Sequence, residues 1–313
     1  MTLVCCWLNK SNSRSRITAI AEGRTSTRID TGWMRHGGML IPSSQWVTNS
    51  DTTTKLYSLH VRCYDLSALD GVRGIWSTPY YATEIGIGFS GPCFEAMSII
   101  ALYRRCLEQL VFTGESLPRP EPIRLVQILQ EITTRWFSTS QMPMGSQVDF
   151  LVFGYSSVDG QPWAAKVRCG SDKNAELVEF KNPLESQNLQ CVGDVGERLT
   201  FRKAIKDIRT RIQRHSKRIR PRKGFDARMD AELEAARHES ADKKAIENLV
   251  IREIRKASNE TVGGVVQKAE AILCDDYRCV VTFSKDDQDY ILDGLPPAGD
   301  GLSYIPIVEK IGG

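Results

Sequence analysis

The sequence contains no apolar run approaching the roughly 20 residues that a membrane-spanning helix needs. Its first residues, MTLVCCWL, also lack the charged segment and long apolar core of a secretory signal. Both absences argue for a cytoplasmic protein without a membrane partner. Histidine is scarce: His36, His60, His215 and His238 are the only four, and none is spaced as a ligand cluster. The nine cysteines are odd in number and scattered among apolar stretches (Cys63, Cys93, Cys106, Cys191, Cys274, Cys279), without the paired spacing of a zinc site. They read as reduced core residues. Cys5 and Cys6 are adjacent on a strand and point to opposite faces, so they do not readily share a metal. No metal or cofactor is implied. A charge imbalance is missing too: 41 basic against 38 acidic residues give +3, too little to imply a nucleic-acid partner for the chain as a whole. Internal repeats and low-complexity tracts are absent.

What is present is a chain of 313 residues, 41% hydrophobic, enough for a substantial core. The first third predicts strands at Thr2 to Leu8, Ile17 to Glu22, Lys55 to Tyr64 and Glu84 to Phe89, rich in β-branched and aromatic residues and separated by polar turns. Two long connections, Arg28 to Thr54 and Asp65 to Thr83, are each a decorated loop or a short extra hairpin. The period then changes. In PCFEAMSIIALYRRCLEQLVF, Phe94, Met97, Ile100 or Ala101, Leu107 and Leu110 recur near helical spacing, and a second helix fits Pro122 to Phe137, with Ile123, Val126, Leu129 and Ile132 on one stripe. A hairpin follows, VDFLVFGYSS against QPWAAKVRC, turning at Val158, Asp159 and Gly160. A strand at Leu189 to Val192, a long helix from near Leu199, a helix from Ala245 to Lys256 and the strands GGVVQKAEAIL and YRCVVTFS complete the order. Blocks of strands alternating with pairs of helices suggest two packed sheets between helical layers, a single α+β domain arranged as a four-layer αββα sandwich.

Three places could cooperate chemically. Removal of Met1 would leave Thr2 with its hydroxyl and α-amino group on one residue, a nucleophile carrying its own base, whose amine has a pKa of roughly 7.7 to 8.0. Such a nucleophile needs a fixed positive charge and an acid to hold it. Lys55, in TTTKLYSLHV, is the candidate charge, and Glu22, at the end of the strand expected to pair with the first, is the candidate acid. A hairpin turning near Asn12 would set positions 2 and 22 opposite each other. In IGFSGPCFEAM a glycine-bearing strand end runs straight into a helix, where backbone N–H groups are unpaired within the helix, so Gly91 could donate to an oxyanion. Each residue also has an ordinary reading: an edge strand, a solvated lysine, a tight turn.

In this order the pieces resemble the proteasome β-subunit superfamily of N-terminal nucleophile hydrolases, including the bacterial proteasome-related proteins. MTLVCCWL with ITAIAEGRTS is similar to the family's first hairpin, which begins at the catalytic threonine and ends in an acid-x-Arg-x-Ser pattern. TTTKLYSL resembles the segment carrying the catalytic lysine, and GFSGPCFEA the glycine turn before the first long helix. FLVFGYSSVDGQPWAAKV resembles the central hairpin, LQCVGDVGERL the segment before the third helix, and AIENLVIREIRKASNETVGGVVQKAEAI the fourth helix, its glycine loop and the returning strand. The resemblance implies Thr2 as nucleophile, Glu22 and Lys55 as the pair that lowers its pKa, Gly91 as oxyanion donor and Ser146 as an aid to the amine and its water. It implies a self-associating homo-oligomer acting on peptide or protein substrates, with an ATPase or unfoldase partner unspecified. The sequence departs from the family where aspartate and serine are usual near the amine: Asn259 and Val262 stand there.

One feature lies outside this pattern. Between Phe201 and Lys223 there are eleven lysines or arginines and one acid, Asp207, on a helix striped by Ile205, Ile208, Ile212 and Ile219; an acidic, alanine-rich helix follows. The pair reads as a helical elaboration at 201–242, and residues 286–313 as an extended tail. The alternative function is therefore a catalytically idle scaffold that contacts protein or nucleic acid through the basic helix.

Overall fold

Strand alternation decides where the apolar residues go. In a computed structural model the described residues are 3–10, 15–36, 39–50, 53–66, 69–70, 75–76, 78–112, 117–139, 147–170, 172–185, 189–193, 206, 210, 246–248, 250–252 and 266–285. In chain order the strands are β1 (Val4–Lys10), β2 (Ser15–Glu22), β3 (Thr25–His36), β4 (Met39–Ser50), β5 (Leu56–Asp65), β6 (Leu69–Asp70), β7 (Ile75–Trp76) and β8 (Tyr81–Ser90). Helix α1 (Cys93–Leu107), β9 (Leu110–Phe112) and helix α2 (Pro122–Thr139) come next. Strands β10 (Val148–Tyr155), β11 (Pro162–Cys169), β12 (Ala175–Lys181), β13 (Leu189–Val192), β14 (Val266–Leu273) and β15 (Cys279–Lys285) follow.

They form a five-stranded sheet in the order β13-β1-β2-β14-β15 and a six-stranded sheet in the order β12-β11-β10-β8-β5-β9. The sheets face each other through Val4, Cys6 and Leu8 of β1, Ile17, Ala19 and Ala21 of β2, Leu151 and Phe153 of β10, and Ala269 and Ala271 of β14. Alternate residues of the same strands serve other surfaces. Leu3, Cys5, Trp7 and Ile20 pack with Ile246 and Val250, which are helical, on the outer face of the first sheet. Phe150 and Val152 of β10 pack with α1 and α2 on the second. Strands β1 and β10 are thus apolar on both faces, as continuous runs such as VDFLVFGY require. At the far end Arg119 lies over the rings of Tyr81 and Tyr277, 4.9 and 5.9 Å from their centroids, and donates to the carbonyl oxygens of Ser157 and Asp276.

Several expectations need correction. The stripe expected for α1 holds only in part: Ile100 and Leu107 are buried, together with Ala96, Ile99 and Tyr103, whereas Phe94 is 74% exposed and Met97 is exposed. Two apolar stripes coexist on this helix, and the sheet takes the one whose Tyr103 hydroxyl reaches the Leu125 carbonyl at 2.9 Å. Leu110 belongs to β9, a short strand parallel to β5, rather than to the helix. The connection at 28–54 is a long hairpin, β3 paired with β4, and the one at 65–83 holds the small β6–β7 pair. Strand β12 was not foreseen. Of the cysteines, Cys106 is exposed and Cys93, Cys191 and Cys274 are half-buried, so the core assignment holds for five of nine. Among the described residues no helix is long and apolar enough to cross a membrane. The elaboration at 201–242, apart from helical residues 206 and 210, and the tail at 286–313 lie outside the described residues.

Candidate active site

The end of β2, the residues leading into β5 and the end of β8 meet at one corner of the two sheets. The β1–β2 ladder runs from Val4 opposite Ala21 to Lys10 opposite Ser15, and the Glu22 N–H donates to the Leu3 carbonyl at 3.3 Å. Glu22 is therefore opposite Leu3, not position 2 as the hairpin turning near Asn12 required. The shift by one residue has a packing cause: this register sets Val4, Cys6 and Leu8 on one face with Ala21, Ala19 and Ile17, whereas a turn at Asn12 would align them with Ile20, Thr18 and Arg16.

Lys55 immediately precedes β5, and its carbonyl accepts from the Phe89 N–H of β8 at 3.3 Å. Its side chain crosses to the first sheet. The Lys55 ammonium is 3% exposed and pairs directly with Oε1 of the wholly buried Glu22; it also donates to the Arg24 carbonyl at 2.5 Å. Glu22 Oε2 accepts from the Arg24 N–H at 2.7 Å, so both carboxylate oxygens are engaged. Burial lowers the Lys55 pKa from its ordinary 10.5, while the charge and hydrogen bond of Glu22, and then Cys93, oppose the shift. The site therefore holds an ammonium whose proton is bound less tightly than in water, at a fixed position.

Gly91 sits between β8 and α1 with φ +113°, in the region that favours glycine, and a Cβ there would stand 2.2 Å from the Gln147 carbonyl oxygen. Gln147 is itself held, its amide donating to both oxygens of buried Asp149 at 3.0 and 2.9 Å, and the Arg168 Nε donates to the same carboxylate at 2.8 Å. Asp149 lies opposite Ser90, so this network fixes the turn that carries Gly91. Gly88 has a different role. A Cβ on it would come within 2.7 Å of Val4 and 2.9 Å of Leu56, so this glycine lets β8 approach β1 closely.

No family model and no curated protein matches the chain. Solved structures similar to it, at low identity, include those of Anbu proteins. The Anbu (Gly-1) mutant from Hyphomicrobium sp. strain MC1 is 12% identical over 92% of this chain and 89% of that one, with a TM-score of 0.43. A helical assembly of the Anbu complex from Pseudomonas aeruginosa shows 15% identity over 92% and 88%, TM-score 0.40. Anbu (ancestral beta-subunit) from Yersinia bercovieri shows 13% over 90% and 87%, TM-score 0.40.

Of the residues singled out in the sequence, Glu22 and Lys55 are bonded to each other, and Gly91 follows two residues after the strand partner of Lys55. Thr2, Ser146, Asn259 and Val262 lie outside the described residues. Three participants were missed. Arg24 contributes its backbone N–H and carbonyl. Cys93, the first residue of α1, is near enough to Lys55 for the two to influence each other; burial raises its thiol pKa and the Lys55 charge opposes the rise. Gln267 of β14 clamps the backbone of residues 53–55. Arg24 and Cys93 adjoin motifs already noted, whereas nothing in the one-dimensional pattern distinguishes Gln267 from any polar residue of a strand.

Proposed function

We propose that the chain is an N-terminal threonine amide hydrolase, a peptidase of the proteasome β-type, built as a four-layer αββα sandwich. The observation that carries this reading is the buried Lys55–Glu22 pair set beside Leu3, since Thr2 is covalently the next residue. With Met1 removed, the Thr2 hydroxyl attacks a peptide carbonyl while its own amine takes the proton, directly or through a water. The Lys55 ammonium stabilises the deprotonated hydroxyl, Glu22 holds that ammonium in place, and the Gly91 N–H receives the tetrahedral oxygen. Ser146 and Asn259 orient the amine. Collapse of the tetrahedral intermediate expels the amine product and leaves a threonine ester, which water hydrolyses. The outward apolar residues Phe94, Met97 and Leu102 of α1 support self-association of the enzyme.

The sequence at Asn259 and Val262 favours a second reading, a scaffold that has lost catalysis and binds through the basic helix. One experiment separates the two. Intact mass gives the state of Met1, and hydrolysis of a fluorogenic peptide series is compared between the wild type and Thr2→Ala. The hydrolase reading expects loss of Met1 and activity abolished in the variant. Retained Met1, or equal rates in the two proteins, overturns it.

A further inference from the structure

We infer that Gln267 is a positioning residue for Lys55, a polar clamp that locks the first sheet to the segment delivering the ammonium. Its catalytic consequence rests on the hydrolase reading above. Strand β14 pairs with β2 so that Val266 lies opposite Glu22 and Gln267 opposite Ala21. Gln267 therefore shares the inter-sheet face with Ala269 and Ala271, which are apolar and pack in the core between the sheets. A glutamine only 6% exposed on such a face needs partners for both ends of its amide. It finds them on one short stretch of backbone across the gap. Gln267 Oε1 accepts from the Lys55 N–H at 2.8 Å, and Gln267 Nε2 donates to the Thr53 carbonyl at 2.6 Å. The Thr53 N–H donates in turn to the Gly23 carbonyl at 2.9 Å, one residue from Glu22.

The geometry is that of a two-point clamp. Residues 53–55 lead into β5, and the glutamine amide and Gly23 hold this segment from the side of the first sheet as a strand neighbour would. The same residue whose N–H the glutamine holds sends its side chain to Glu22. Without the amide, the buried Lys55 N–H loses this acceptor and the Thr53 carbonyl this donor, and the segment loses its two bonds to β14. The effect on catalysis would come through placement: displacement of a catalytic group by about 1 Å can cost up to about 100-fold in rate.

The test uses the full chain and Gln267→Met, which keeps the length and apolar stem and deletes the amide. Hydrogen exchange read by mass spectrometry on peptides covering 53–57 is expected to be slow in the wild type and at least about 10-fold faster in the variant, with the β10–β11 peptides unchanged. In peptide hydrolysis kcat falls roughly 10- to 100-fold while KM stays within about twofold, the split expected when placement of the reacting groups is lost and substrate binding is not. Free exchange of the Lys55 amide in the wild type overturns the proposal even if the variant does not fold. A folded variant with unchanged exchange or unchanged kcat overturns it as well. A wild type without Thr2-dependent hydrolysis sinks the catalytic role together with the hydrolase reading, and the exchange arm still decides whether Gln267 holds Lys55.

Discussion

Glu22→Ala isolates what the buried ion pair contributes. The carboxylate is fully buried and accepts from both the Lys55 ammonium and the Arg24 N–H, so its removal leaves a buried cation and a backbone donor without their acceptor. Removing one member of a buried pair typically costs about 3 to 5 kcal/mol. Exposure to solvent does not discount this figure, because both side chains are within 3% of complete burial. For a chain of this size the cost corresponds to a fall in Tm on the order of 10 °C. The pH dependence has a defined sign. The Lys55 pKa in the folded protein is already below 10.5 because of burial, with Glu22 opposing the shift; without Glu22 it falls further. Between the folded value and 10.5 the unfolded chain holds a proton that the folded chain has released, so stability rises with pH across that interval. The interval widens downward in the variant, and its deficit is largest on the acid side of that interval and shrinks as the pH is raised towards 10.5. The assay is urea unfolding of wild type, Glu22→Ala and Glu22→Leu/Lys55→Met over this range. The double variant, with both charges replaced by apolar groups, should be more stable than Glu22→Ala. A deficit below about 1 kcal/mol at the acid end of the range, or a double variant no better than Glu22→Ala, would refute the reasoning.

Two further outcomes follow from local geometry. Gly91→Ala places a Cβ against the Gln147 carbonyl at a positive φ, and is expected to lower stability by about 1 to 3 kcal/mol in thermal unfolding and to reduce peptide hydrolysis by at least about 100-fold. Cys5 and Cys191 lie opposite each other on β1 and β13 with their sulfurs 2.8 Å apart. Mild hydrogen peroxide, itself reduced to water, should join them with loss of two hydrogen atoms by intact mass, and Cys191→Ser should prevent it; an unchanged wild-type mass contradicts this.

The legible parts of the fold were those with a strict period or a strong break. The hairpin of β10 and β11 announced itself by two apolar strands around Val158, Asp159 and Gly160, and β1, β2, β5 and β8 by β-branched runs. The phase of α1 was not legible, because Phe94 and Met97 make as good a stripe as Ile99 and Tyr103 until the sheet chooses. The β1–β2 register was hidden for a similar reason: it depends on which alternate residues face the other sheet, information that belongs to the partner layer. Strand β12 was hidden because AELVEFK is nowhere fully buried, with Glu176 and Val178 exposed, and its apolar residues do not alternate cleanly with its polar ones. In the site, Glu22, Lys55 and Gly91 could be chosen from the sequence because each stands at an element boundary. Gln267 could not, because its role is defined by backbone atoms more than 200 residues away in the chain.

The corner formed by β2, β5 and β8 is a poor place for charge on stability grounds alone. A buried pair is seldom better than two apolar side chains of similar volume, and the buried cross-strand neighbours of Glu22, Leu3 and Val266, are themselves apolar. Yet Glu22, Lys55, the Arg24 backbone and Gln267 form a connected set of hydrogen bonds in which the ammonium, the carboxylate and the clamped backbone amide all have partners. Connected buried polar groups of this kind hold their members at fixed positions and resist small displacements. The property gained over an apolar corner is a charge at a defined point beside the start of β1. An electrostatic catalyst needs that property, and a purely structural contact between two sheets does not.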